Sequence, residues 1–163
     1  MKIAVITVSD SCSAGVHTDK SGPLISELLA ELAETAACRL TPDDAEKIEQ
    51  ALIECCDEIG ADIVFTTGGT GLSPRDVTPE ATKAVTDRDA PGFAEAVRAE
   101  SLKHTPHAML SRAYSGIRGQ TLIINLPGSP KAVRESLAVL LPALPHAVQT
   151  LQGTQGRCGD ETR

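Results

Sequence analysis

Ile63-Val64-Phe65-Thr66-Thr67-Gly68-Gly69-Thr70-Gly71 passes without a break from an apolar run into a turn in which three of four residues are glycine. The first five residues have the composition of a strand buried on both faces. The glycines let the chain turn tightly and let backbone N–H groups approach a ligand closely. A buried strand ending in such a turn reads as the strand-to-helix joint of a parallel sheet. The spacing alone leaves two uses of the glycines open, a tight turn or a ligand cradle.

Outward from this joint the same pattern repeats. Lys2–Val8 and Thr121–Leu126 are further buried strands, and a brief one is expected near 37–40. Helices fill the gaps. The first starts with Ser21 or Gly22 as cap and Pro23 in its first turn, with Ile25, Leu28, Leu29 and Leu32 on one face. The second starts at Thr41-Pro42-Asp43-Asp44, Thr41 capping and Asp44 completing a capping box; it carries Ile48, Ala51, Leu52, Cys55 and Ile59 and stops at Gly60. A third begins at Thr78-Pro79-Glu80, with Thr78 as its cap. A fourth covers 93–103, and a last one follows Pro130 and is kinked or restarted at Pro142. Residues 111–119 are glycine-punctuated and ambiguous. The fold class is therefore α/β, a three-layer, open, mostly parallel sheet with helices on both faces. One domain over 1–153 is expected, with a polar, disordered tail at 154–163.

Composition narrows the function. The 163 residues carry 15 Lys and Arg against 22 Asp and Glu, a net charge of −7, which argues against nucleic acid as a partner. Phe65, Phe93 and Tyr114 are the only aromatics, too few for a base-stacking platform. No apolar run is long enough to cross a membrane, and Met1–Val8 is too short for an export signal. The five cysteines form no C-x-x-C pair, so they read as reduced thiols of a cytoplasmic protein, with Cys55 a small core residue.

In an open parallel sheet, ligands bind beyond the carboxyl ends of the strands, where strand order switches. Four loops leave such ends: the one from Ser9-Asp10, Thr41-Pro42-Asp43, Gly68 to Asp76, and Pro127-Gly128-Ser129. Gly71 is followed by Leu72-Ser73 rather than Lys-Ser/Thr, and Pro74 stands where a dinucleotide fingerprint needs glycine, so neither common phosphate motif applies. Asp43 and Asp76 each lie beside a helix start, where a carboxylate complements the partial positive charge. If both face the sheet edge they become two hard oxygen ligands for Mg²⁺ with substrate phosphates, the setting of phosphoryl or nucleotidyl transfer. Arg75, Arg112, Arg118 and Lys131 are candidate partners for anionic groups, each also readable as a solvated surface charge.

The string Thr66-Thr-Gly-Gly-Thr-Gly-Leu-Ser-Pro-Arg-Asp-Val-Thr-Pro-Glu-Ala-Thr82 resembles the signature of the MogA/MoaB family of molybdenum cofactor biosynthesis proteins and of the G domain of gephyrin and its plant counterpart. Ser101–Arg112, Gly116–Pro130, Val8-Ser-Asp10 and Asp19-Lys-Ser-Gly22 extend the likeness over nearly the whole chain to Gly153. The resemblance implies a molybdopterin-binding fold, assembled as a homotrimer or a hexamer. It implies Mg²⁺-ATP-dependent adenylylation of molybdopterin with release of pyrophosphate, ahead of a MoeA-type metal insertase. The alternative it carries is a non-catalytic, MoaB-type paralogue that binds the pterin without turnover. The family's two functional aspartates fall on Asp43 and Asp76, which would serve magnesium and the transfer step. Gly68, Gly69, Thr70 and Gly71 would cradle phosphate. Ser9 and Asp10 with Leu126, Pro127 and Gly128 would line the nucleotide side, and Met109, Ser111 and Arg112 would lie toward the pterin. The Asp43 and Asp76 carboxylates are expected to share one cleft with Gly69 and Thr70.

Overall fold

The computed structural model describes residues 1–154, and the tail assigned to the last residues lies, from 155 onward, outside them. Six strands form one sheet: β1 (Lys2–Val8), β2 (Glu34–Thr41), β3 (Ile63–Thr67), β4 (Arg88–Asp89), β5 (Ser115–Arg118) and β6 (Thr121–Leu126), in the order β2-β1-β3-β6-β5-β4. The first four in that order run parallel, while β5 is antiparallel to both β6 and β4. The helices are α1 (Asp10–Ser13), α2 (Ser21–Leu29), α3 (Ala45–Ile53), α4 (Thr78–Val85), α5 (Gly92–His104), α6 (Pro130–Leu140) and α7 (Leu144–Leu151). No helix among the described residues is long and apolar enough to cross a membrane.

Alternation along the strands divides the core in two. Ile3, Val5, Ile63, Phe65, Leu122, Ile124 and Leu126 point to one face, where α2, α5, α6 and α7 bury Ile25, Leu29, Val97, Val133, Leu137 and Leu144. Ala4, Ile6, Val8, Val64 and Ile123 point to the other and meet Ile48, Leu52, Cys55, Ala81 and Val85 of the α3–α4 side. The chain goes outward from β1 to β2 through α2 and returns across β1 to β3 through α3. Two crossovers of one hand in opposite directions place their helices on opposite faces, as here. Strand order therefore switches between β1 and β3.

Several boundaries differ from the sequence reading, each for a local reason. β2 spans eight residues rather than 37–40, because it pairs along the whole of β1, from Lys2 with Glu34 to Val8 with Thr41. It lies at the sheet edge, and its burial alternates, so no apolar run announces it. Thr41 is consequently the last strand residue, and Asp44 caps α3 by accepting from the Lys47 amide. Neither Ser21 nor Gly22 caps α2; both donate their amides to the Asp19 carboxylate, at 2.9 and 3.0 Å. Thr78 does not cap α4, because its hydroxyl donates to the Gly68 carbonyl instead. α3 passes into a π-turn at Glu54–Glu58, whose extra residue turns both Cys55 and Cys56 inward. Burial raises their thiols to about 11 and about 12, so both stay protonated and unreactive at neutral pH.

One buried polar residue ties the sheet to α4. Asn125, with no exposed surface, donates from Nδ2 to the hydroxyls of Thr66 and Thr82 at 2.8 and 2.9 Å and accepts the Tyr114 amide at 3.2 Å. Thr82 passes its own proton to the Thr78 carbonyl, so the chain of bonds runs from β6 to the start of α4. Asn125→Leu, similar in volume, strands the Thr66 hydroxyl and the Tyr114 amide. It is expected to cost about 2–4 kcal/mol in urea unfolding, with the slope of the transition unchanged.

Candidate active site

At the switch point the carboxyl ends of β1 and β3 enclose a cleft of about 270 Å³, walled by Thr7, Ser9, Asp19, Thr67, Gly68 and Gly128. Its floor is possible only because Gly68 has no Cβ. A Cβ there would collide with the Val8 carbonyl, and the residue's φ of +99° lies in the region that favours glycine. Gly128 packs on the same spot, its missing Cβ position 3.3 Å from the Gly68 Cα.

The turn 68–71 is held by its carbonyls. Gly68 O accepts the Thr78 hydroxyl at 3.0 Å and Gly69 O the Thr78 amide at 3.1 Å. Thr70 O accepts the Arg112 amide at 2.9 Å, and Gly71 O accepts Arg112 Nε at 2.7 Å. Only Gly68 sends its amide back into the fold, to Leu126 O at 3.3 Å. Among the described residues the amides of Gly69, Thr70 and Gly71 have no protein acceptor. Three successive N–H groups without a protein acceptor, close to the start of α4, are the kind of donors that an anion could use.

Asp43 and Asp76 flank this turn. Asp43 Oδ1 lies 3.0 Å from the position a Gly69 Cβ would take, and Asp76 Oδ2 lies 2.9 Å from that of a Gly71 Cβ. Asp43 Oδ2 accepts the Asp10 amide at 2.9 Å while Asp10 Oδ1 accepts the Asp43 amide at 3.0 Å, a reciprocal clasp joining the β1 and β2 loops. Asp76 Oδ2 accepts the Ser73 amide at 2.9 Å. Asp10 also binds Arg75 in two-pronged fashion, at 2.9–3.1 Å, and that hydrogen bond holds its carboxyl below the usual range. Burial, reinforced by the charges of Asp10 and Asp76, pushes the Asp43 carboxyl above the usual range, against the opposing pull of the Asp10 amide and Arg75.

Other candidates are placed differently. Ser9 sits in the cleft wall and caps α1, its Oγ accepting the Cys12 amide at 3.2 Å. Pro127 and Gly128 turn their carbonyls to Thr67 and Ser21, at 2.8 and 2.7 Å. The Leu126 side chain is in the core, so its carbonyl alone reaches the glycine turn. Met109 is 70% exposed on the 3₁₀ turn Pro106–Leu110, and Ser111 lines a separate hollow of about 210 Å³ behind Pro127. Arg112 is bound up with the loop itself. Arg118 is no partner for a ligand here: it ends β5 beside the start of β6, at the opposite end of the strands, and is paired with Asp57 at 2.6 Å. Asp19 went unassigned in the sequence, although an Asp two residues before Ser21-Gly22-Pro23 is itself a capping signal. It accepts the Thr7 hydroxyl at 2.6 Å and so fixes the cleft wall.

Among the described residues no group of three or more His, Cys, Asp or Glu side chains is arranged to hold a metal ion. The donor set nevertheless fits Mg²⁺, which commonly takes one or two carboxylates and completes its shell with phosphate and water. Two carboxylates stand either side of a free-amide cradle, and a cation there would relieve the mutual repulsion felt by Asp43.

The family model described as "Probable molybdopterin binding domain" matches residues 4–146. The chain is 47% identical over 154 residues to the molybdopterin adenylyltransferase of Helicobacter pylori J99, spanning 93% of this chain and 88% of that one. It is 42% identical over 168 positions to the molybdopterin adenylyltransferase of Escherichia coli K12, spanning 94% and 86%. The crystal structure of the molybdopterin biosynthesis enzyme MoaB from Thermus thermophilus superposes with a TM-score of 0.88 at 48% identity, covering 93% and 96%.

The raised Asp43 carboxyl has a consequence for stability. The folded chain holds this proton more tightly than the unfolded one, whose aspartate titrates near 3.8. This group's contribution is therefore most favourable below that value and is lost as pH rises through the higher folded value. Asp43→Asn keeps an acceptor for the Asp10 amide and abolishes the loss. It is expected to raise the melting temperature by about 1–3 °C at about pH 7.5, a small gain because the carboxylate is partly solvated, and by nothing at about pH 3.5. Calorimetry at the two pH values checks it.

Proposed function

The chain belongs to the molybdopterin-binding domain family of molybdenum cofactor biosynthesis, and from that premise we propose that it is a molybdopterin adenylyltransferase, a nucleotidyltransferase that joins AMP from Mg²⁺-ATP to molybdopterin and releases pyrophosphate. The single observation that carries the chemistry is the trio of free amides at Gly69, Thr70 and Gly71 between the carboxylates of Asp43 and Asp76.

In this reading a phosphate oxygen of molybdopterin attacks the α-phosphorus of ATP. One P–O bond forms there, the bond to the β-phosphate oxygen breaks, and pyrophosphate leaves. The protein's part is positioning and charge. The amides of the glycine turn hold phosphate oxygens, and the start of α4 behind them adds its positive end. Ser9, Asp10, Pro127 and Gly128 line the nucleotide side, with the Leu126 carbonyl fixing the turn they face. Met109 and Ser111 lie toward the pterin. Magnesium, held by Asp43 and Asp76, would supply neutralisation of the phosphate charge. One domain over 1–153 carries all of this, in a cytoplasmic homotrimer or hexamer that hands its product to a MoeA-type metal insertase.

Pyrophosphate release from Mg²⁺-ATP tests the reading. Release that depends on freshly prepared molybdopterin and falls about 10²-fold or more in Asp76→Ala is the expected result. Pterin binding without release from the wild type would make the protein a non-catalytic carrier, and the roles given to both aspartates would fall with it.

A further inference from the structure

Arg112 does not sit as an anion-binding arginine sits. Its guanidinium donates in three directions, from Nε to the Gly71 carbonyl at 2.7 Å, from Nη2 to the Asp76 carbonyl, and from Nη1 to the Glu80 carboxylate. Its own amide donates to the Thr70 carbonyl at 2.9 Å. One residue thus ties down the glycine turn, the far end of the loop that follows it, and the first turn of α4. The Glu80 carboxylate neutralises its charge.

We propose that Arg112 is a positioning residue for Asp76 and for the free Gly71 amide of the turn, and not a ligand for the pterin or its phosphate. The proposal rests on the adenylyltransferase reading for its catalytic consequence alone. Between Gly71 and Asp76 the backbone leaves the protein surface, and Leu72 at its tip is 63% exposed. The loop has little apolar burial to fix its shape. Its inner bond is the Ser73 amide to Asp76 Oδ2, which sets where that carboxylate points. The two carbonyls that Arg112 grips, Gly71 and Asp76, bracket this bond. A planar guanidinium can hold both and still reach Glu80, because its donors fan out in a rigid fork. A lysine ammonium is a single point and cannot serve three acceptors so spaced. Drawing the Thr70 carbonyl toward Arg112 also turns the Gly71 amide the other way, since the two groups of one peptide point in opposite directions; the Gly69 and Thr70 amides share their peptides with the two carbonyls that Thr78 holds.

Arg112→Lys and Glu80→Gln are the variants to make, the second leaving the guanidinium in place and removing only the charge that anchors it. Three readouts are taken on each: pyrophosphate release, equilibrium binding of molybdopterin by fluorescence, and amide hydrogen exchange over residues 69–77. A positioning role predicts that Arg112→Lys lowers kcat about 10–100-fold and leaves the pterin Kd within about twofold. Exchange in the loop speeds up about tenfold or more, with a smaller rise in Glu80→Gln. A pterin Kd weakened about tenfold with loop exchange unchanged would overturn it. Unchanged exchange in both variants would overturn it whatever the kinetics. Binding and exchange need no turnover, so a wild type that releases no pyrophosphate sinks the adenylyltransferase reading and still leaves the positioning role decided by the other two.

Discussion

Every carbonyl of the turn 68–71 is drawn inward, by Thr78 on one side and Arg112 on the other. That constraint organises the rest of the sheet edge. With its oxygens anchored, the turn leaves the Gly69, Thr70 and Gly71 amides without a protein acceptor among the described residues. With Gly68 pressed on the Val8 carbonyl, it brings the ends of β1 and β3 together where strand order switches. α4 starts where it does because Thr78 spends both its hydroxyl and its amide on the turn. Asn125 and Thr82 secure that start from behind, inside the core. The polar atoms of the edge are thus supported by a bonded path that reaches the middle of the sheet.

The electrostatics follow from this packing. Asp10, Asp43 and Asp76 converge on a turn that carries no charge of its own, in a protein already at −7. Arg75 offsets one of them by pairing with Asp10 at the surface. Asp43 is left partly desolvated and crowded by like charge, which is a poor arrangement for stability and a suitable one for meeting a cation that carries phosphate. Sites of transfer chemistry often hold groups in such destabilised states.

Much of the fold was legible because its central strands are buried on both faces: β1, β3 and β6 fall on continuous β-branched runs that survive any choice of neighbours. The edge strand β2 was half legible, since Glu34-Thr-Ala-Ala-Cys-Arg-Leu-Thr41 alternates burial without forming an apolar run. β4 and β5 were not, because two and four residues carry too little pattern. Helix starts were legible as places and not as partners. Thr41 and Thr78 have the composition of caps, yet each is claimed by a longer-range bond or by a strand. The same limit governs the site. The glycine turn and the two aspartates announce themselves by type and position. The clasp between Asp10 and Asp43 joins residues 33 apart, and the bond from Arg112 to Gly71 joins residues 41 apart, so neither leaves a local trace.

The edge position of β2 bears on how the molecule behaves in company. An eight-residue strand at the rim of a parallel sheet offers its outer backbone groups to any passing strand, whereas the far rim ends in a two-residue strand too short to template anything. The long rim is guarded by side chains. Glu34 stands at its start, and Arg39 in its middle is pinned to Glu54 of the π-turn, so a charged pair lies over one face of this rim. The π-turn thus does more than bury two cysteines: by carrying Glu54 to Arg39 it fixes charge beside the long rim, and charge is what exposed edge strands commonly carry against edge-to-edge pairing.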